Sequence, residues 1–264
     1  MTDAKRDFLS YIVTLTSVQL QTANGTSVAT LPAATKVDFA QLVDLTEVIS
    51  AGQIPAANYV SATLTLDYTN ASITAVDGTG SGVALAPVDA SGNPLTGTLQ
   101  VAGQLDNANH LVVTAGRAAR LAFDFNLAAS NTVDLTAATV QVAPTLVASV
   151  VPSDTKQIRV RGSLTSTAVA QNDFVLDVQP FQDSSASGGQ LTVQVAATTS
   201  YQIDGCAYVG NAGINTLAAL PASTMVAAKD LNGTTAVVDV AATGQYDSAK
   251  NTFTATRVAV LLSD

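Results

Sequence analysis

The sequence predicts an all-β protein: an N-terminal β-sandwich-like domain with one short helix, followed by a small β-barrel. Three observations carry this expectation. Of twenty acidic residues only Glu47 is a glutamate, and an Asp-, Thr- and Val-rich chain disfavours helix and favours strands joined by Asx-type turns. Runs of alternating apolar and polar residues recur along the chain, at the period of a half-buried strand. Apolar residues make up 47% of the sequence, yet no stretch approaches the roughly eighteen continuous apolar residues a membrane helix needs. At 264 residues the chain can hold one large all-β domain or two ordinary ones.

Leu9 to Leu20 largely alternates and leads to Asn24-Gly25, a pair suited to a two-residue hairpin turn, so the first strands should form a hairpin. Between Asp38 and Ser50 the spacing becomes helical: Phe39, Leu42, Val43, Val48 and Ile49 share a stripe, Asp38 is placed to cap, and Gly52 and Pro55 lie beyond the end. Tyr59 to Asp67 returns to strand, with Tyr59, Ser61, Thr63, Thr65 and Asp67 on one face and Val60, Ala62, Leu64 and Leu66 on the other. Further strands are expected at Ala71 to Val76, Leu95 to Val101, Leu111 to Thr114, Arg120 to Asn126 and Thr139 to Val151.

Val150 to Lys156 then introduces a proline and small polar residues. It reads as a linker between domains 1–151 and 157–264. Beyond it, strands are expected at Gln157 to Leu164, Asp173 to Val178, Gln190 to Ala197, Met225 to Lys229, Thr235 to Ala241 and Asn251 to Leu262, with a flexible loop at Asp183 to Gly189. Ile214 to Leu220 could make one helical turn before Pro221, in the manner of a small barrel closed by a helix. The last strand is apolar on both faces towards its end, so it must be covered on both sides. Closure of the barrel within the chain is the expectation, and insertion into a neighbour the alternative.

A net charge of -9 and a pI near 4.3 oppose binding to nucleic acid or to anionic lipid. Cys206 is the only cysteine, which excludes an internal disulfide and a cysteine-based zinc cluster. The Ala/Thr/Asn/Gly-rich, Lys-poor composition is that of an exported bacterial β protein, and with no leader before Thr2-Asp-Ala the expectation is that one has been removed.

Candidate chemistry is sparse. His110 is the only histidine and no Gly-x-Ser-x-Gly elbow precedes it, so it reads as an edge residue after the turn Asp106 to Asn109. Cys206 has no basic neighbour to lower its pKa and reads as a small packed apolar residue. Asp67 and Asp124 lie in strands, and a glycosidase-like pair would need them about 5 to 10 Å apart across a cleft. Phe123 and Phe125, however, put Asp124 on the opposite face, where water, Arg117 or Arg120 can satisfy it. Asp77 to Gly82 and Asp89 to Asn93 offer alternate oxygens for calcium but lack the terminal bidentate acid, and they read as turns. Gly78 to Gly82 is likewise a poor phosphate loop, with no Lys after it. The expectation is a non-enzyme with no catalytic, cofactor or metal residues.

Residues 3–151 resemble a bacterial and archaeal envelope lipoprotein domain of uncharacterised function. The likeness is carried by Asp3-Ala4, Thr14 to Leu20, Val37 to Leu45, Ile54 to Tyr59, Leu64 to Leu66, Leu121 to Phe125 and Val140 to Val147. Residues 157–262 are similar to a second uncharacterised module, a small β-barrel that often follows such domains, through Val160-Arg-Gly162, Phe174 to Asp177, and Gly244 on to Phe253 to Val258. The resemblance implies an exported protein, periplasmic or at the cell surface, lipid-anchored in full length; the lipid-accepting cysteine is absent from this chain. The expected function is a non-catalytic structural or interaction module of the bacterial envelope, with a protein, a cell-surface polymer or a second copy as partner, and the membrane only through that anchor. The alternatives are a carbohydrate-binding or adhesion protein, against which the absence of Trp counts, and a fibre subunit assembled by strand exchange.

Overall fold

Alternating sequence becomes strand throughout the computed structural model, which describes residues 8–43, 45–105, 110–150, 156–227, 238–247, 250 and 252–262. In chain order come β1 (Phe8–Thr22), β2 (Ser27–Ala29), β3 (Thr35–Asp38), a 3-10 turn (Phe39–Leu42), β4 (Leu45–Glu47), β5 (Ala57–Val76), β6 (Gly82–Val88) and β7 (Thr98–Gln104). They are followed by β8 (Leu111–Val113), β9 (Ala122–Phe125), the single helical turn α1 (Leu127–Ser130), β10 (Asn131–Asp134), β11 (Thr139–Val142) and β12 (Leu146–Ser149). The remainder is β13 (Gln157–Ala168), β14 (Asp173–Val178), β15 (Gln190–Ile203), β16 (Cys206–Val209), α2 (Asn211–Ala227), β17 (Val238–Asp247) and β18 (Thr252–Leu262). The protein is all-β and divides into two units: Met1–Asp44 with Gln53–Thr155, and Leu45–Gly52 with Lys156–Asp264.

In the first unit β1 and β5 pair antiparallel from Phe8 opposite Ala75 to Thr22 opposite Tyr59. They form the spine of a nine-stranded sheet in the order β10-β11-β6-β5-β1-β2, with β3 also on β1 and β7 and β8 on β5. A two-stranded sheet, β12-β9, supplies the other layer. The partly buried Leu121, Phe123, Ala148 and Val150 pack onto Leu20, Tyr59, Ala62, Leu105 and Leu111, among which each buried leucine contributes about 1.5–3 kcal/mol. The Phe125 ring lies 5.9 Å from Tyr11 and 4.7 Å from Phe39. Beneath those rings the Tyr11 hydroxyl donates to Asn131 Oδ1 at 2.9 Å and lies 3.2 Å from the Tyr68 hydroxyl. Burial holds both phenols protonated, pushing Tyr68 up to about 12 and Tyr11 further still.

The second unit is a closed barrel. β13 pairs with β14 and β17, β17 with β18, β18 runs parallel to β15, and β15 returns to β14. With α2 crossing between the third and fourth of these strands, this is a five-stranded Greek-key barrel of the OB kind. Val160, Phe174, Leu176, Val193, Val240 and Val258 fill it, and Ile214 and Leu217 of α2 pack on that core. Gly162 lets β13 cross close to β14, because a Cβ there would lie 2.1 Å from the Asp177 carbonyl oxygen.

The helical turn expected at Ile214 to Leu220 is present as part of a longer α2, which also takes up Met225 to Ala227, where a strand was expected; Ala228 and Lys229 lie outside the described residues. The short helix expected between Asp38 and Ser50 stops after one 3-10 turn. Asp38 does cap, accepting from Ala40 N–H at 3.2 Å, but Thr46, Val48 and Ile49 are β-branched and the segment pairs as β4 instead. Leu45–Gly52 thus belongs with the barrel, a departure from the division at 1–151 and 157–264; residues 151–155 of the expected linker lie outside the described residues. Tyr59 to Asp67 and Ala71 to Val76 are one continuous strand of 20 residues. Thr139 to Val151 breaks around Pro144, which has no N–H to give a ladder. In the first hairpin only Gly25 takes positive φ, so the connection is longer than two residues.

Candidate functional site

On β13, Ile158 and Val160 point into the barrel, which places the intervening Arg159 and Arg161 on its outer face. Each guanidinium is met by a carboxylate. Arg159 Nη2 lies 2.8 Å from Glu47 Oε2, with the two side chains 18% and 5% exposed. Arg161 Nη2 lies 2.9 Å from Asp239 Oδ2. Glu47 Oε1 also accepts from the Phe181 N–H at 2.6 Å, and the Arg159 guanidinium carbon sits 4.0 Å above the centre of the Phe181 ring. A hollow of about 310 Å³ opens beside this group, lined by Arg161, Phe181, Asp239, Val240 and Ala241.

Glu47 is delivered by main-chain pairing. β4 runs parallel to β13 with Leu45 opposite Gln157, Thr46 opposite Ile158 and Glu47 opposite Arg159. The Val48 N–H then donates to the Arg159 carbonyl at 3.0 Å and the Ala51 N–H to the Gly188 carbonyl at 2.7 Å. The far wall must be glycine: a Cβ on Gly188 would lie 2.4 Å from the Ile49 carbonyl oxygen, and one on Gly189, whose φ is +91°, 2.0 Å from that of Ala51. A carboxylate this buried is tolerated because it is paired and hydrogen-bonded on both oxygens. The arrangement recognises an extended main chain and one carboxylate, and it places no activated nucleophile beside the hollow.

The residues singled out in the sequence lie elsewhere. His110 Nδ1 is 3.2 Å from the Asn58 amide nitrogen, just before β8; its expected turn, Asp106 to Asn109, lies outside the described residues. Cys206 is exposed, a correction to the packed apolar residue expected: it opens β16 directly after the turn at Asp204 and Gly205, and among the described residues β16 pairs with β15 alone. Asp67 and Asp124 sit in different sheets, in β5 and β9. Asp67 accepts from the Thr69 hydroxyl at 2.6 Å and the Thr69 N–H at 2.9 Å, which lowers its pKa below the usual carboxylate value. Asp124 is exposed, opposite Phe125 across the strand.

The two oxygen-rich loops close on themselves. Asp77 Oδ1 accepts from the Thr79 hydroxyl and from the N–H groups of Thr79 and Ser81 at 2.7–2.9 Å. Asp89 Oδ1 accepts from the Ser91 and Asn93 N–H groups at 2.8 and 2.9 Å. These bonds hold both carboxyls below the usual range. Among the described residues no group of three or more His, Cys, Asp or Glu is placed to hold a metal ion, and no helix is long and apolar enough to cross a membrane. The loop Asp183 to Gly189, expected to be flexible, is tied: Ser187 donates to Asp177 at 2.6 Å, Gly188 N–H to the Val178 carbonyl at 2.6 Å, and Ala186 is buried.

Sequence reasoning missed the Arg159, Arg161, Phe181 and Asp239 cluster. The signal was present as two arginines two residues apart on an alternating strand, in a chain with only 11 Lys and Arg. A family model described as a domain of unknown function, DUF4382, matches residues 1–144. The chain belongs to that family, and the matched span includes the strand that Glu47 sits on. No curated protein and no solved structure matches the chain.

Proposed function

We propose that this member of the DUF4382 family is a non-catalytic structural or interaction module of the bacterial cell envelope or surface, exported and lipid-anchored in its full-length form. The observation that carries the reading is the use made of polar groups at the barrel. Glu47 pairs with Arg159 and Arg161 with Asp239, and the first pair together with the Phe181 N–H holds a β-strand on β13. Recognition of main chain by an open strand edge is the chemistry of protein assembly. An exported, surface-facing role is supported by the Lys-poor, Ala/Thr/Asn-rich composition and the net charge of -9.

The test is fractionation of cells carrying the native gene, with protease added to intact cells and to spheroplasts. The protein should be found in the envelope fraction and be cleaved from outside at least the inner membrane. Recovery in the cytosol would defeat the location. Turnover of a glycoside, ester or peptide substrate that is abolished by Asp67→Asn or His110→Ala would defeat the non-catalytic reading.

A further inference from the structure

The slot on the outside of β13 has the construction of a receptor and its ligand joined in one chain. The receptor is the β13 edge, the Phe181 N–H, the Arg159 guanidinium and the Gly188-Gly189 wall. The ligand is eight consecutive residues, Leu45–Gly52. The polar contacts between them are made by that segment's own backbone and by one side chain, Glu47, while Val48 and Ala51 pack against the barrel core. The partners stand far apart in sequence, 112 residues for Glu47 and Arg159 and 134 for Glu47 and Phe181, so no local chain geometry dictates which copy supplies the strand. The chemistry is also selective. The slot requires a carboxylate on an extended strand, long enough to span Arg159 and the Phe181 N–H at once, and Glu47 is the only glutamate in the sequence. Within this chain Leu45–Gly52 is the segment that meets the requirement.

We propose that this slot is a strand-acceptor site, filled within the chain by Leu45–Gly52 and able to take the same segment from a second copy, each copy then being donor and acceptor in a reciprocal exchange. The exchanged and unexchanged states contain the same strand pairing and the same ion pair, so concentration and the cost of freeing the segment set the balance between them. The proposal deepens the interaction-module reading by naming the partner. It fails separately, because the location of the protein is tested by fractionation and the exchange by mass.

Charge reversal tests it. Full-length Glu47→Arg and Arg159→Glu chains carrying different tags are produced singly and together, and their masses are read by native mass spectrometry. Alone, each places like charges in its slot. Together, exchange puts native Glu47 against native Arg159 in one slot and the reversed pair in the other. A heterodimer from the pair, with no corresponding homodimer from either alone, supports the proposal. A chain carrying both changes restores a pair within itself and should be monomeric. If the single variants are insoluble alone, soluble heterodimer on co-production supports exchange, and joint insolubility overturns it. Soluble variants that stay monomeric when produced together overturn it, as does a heterodimer that forms equally well with the double variant.

Discussion

Glu47 is the position at which the energetics of the barrel are most open to measurement. In Glu47→Leu the Arg159 guanidinium loses its carboxylate in a site where only 18% of its side chain is exposed. Removing one partner of a buried pair costs about 3–5 kcal/mol; the ring of Phe181, 4.0 Å away, offsets about 0.5–2 kcal/mol of that for a cation. The Phe181 N–H also loses its acceptor, at about 1–3 kcal/mol. The sum is about 5 kcal/mol. Glu47→Gln keeps one carbonyl oxygen, enough for either the Phe181 N–H or the guanidinium but not both, and turns an NH2 donor toward the other, so it loses one acceptor and the charge assistance, about 2–4 kcal/mol. The two variants should therefore differ by about 1–3 kcal/mol. Hydrogen exchange at Val48, Ala51, Val160 and Val240 under mild denaturant reads that difference in the second unit. If the variants lie within about 0.5 kcal/mol of each other, or neither departs from the parent, the bonds to Glu47 do not anchor the segment.

Other outcomes follow from the same geometry. Cys206 should react stoichiometrically with a thiol reagent in the native protein, and a requirement for denaturant would contradict its exposure. Tyr68 is raised by burial from its unfolded value near 10 to about 12; its contribution to stability is therefore complete below pH 10 and is lost as pH rises through 12. Tyr68→Phe should remove a component near pH 12 from the tyrosinate absorbance titration, and loss of a component near pH 10 instead would sink the burial argument. Leu217→Ala, at a fully buried position on α2, should cost about 2–5 kcal/mol in chemical denaturation, and a cost under about 1 kcal/mol would mean that α2 does not seal the barrel core.

Fold class was legible because the alternation of apolar and polar residues is a local property. The helix that seals the barrel was legible too, from Ile214, Leu217 and Leu220, although its length was not: Pro221 reads as a stop, yet the helix passes through it. The Asp77 and Asp89 turns were readable for the same reason, each carboxylate finding its donors within four residues. What could not be read was long-range pairing. Phe39 to Ile49 has apolar residues at helical spacing, and only the free edge of β13, over a hundred residues away, turns its second half into a strand. The Arg159 cluster was hidden similarly, since its members come from β4, β13, β17 and the loop after β14 and meet only when the barrel has closed.

The chain order of the slot bears on how the protein is made. Leu45–Gly52 leaves the ribosome 112 residues ahead of its acceptor strand, an interval of about 6–20 s at ordinary rates of synthesis. For that time the nascent chain presents Leu45 and the β-branched Thr46, Val48 and Ile49 as an unpaired segment, the kind of sequence that nucleates association between growing polypeptides. Glu47 sits in the middle of it. A carboxylate there repels its own counterpart on a neighbouring chain and is matched only by a cation, so the residue that secures the finished barrel also guards the unfinished one.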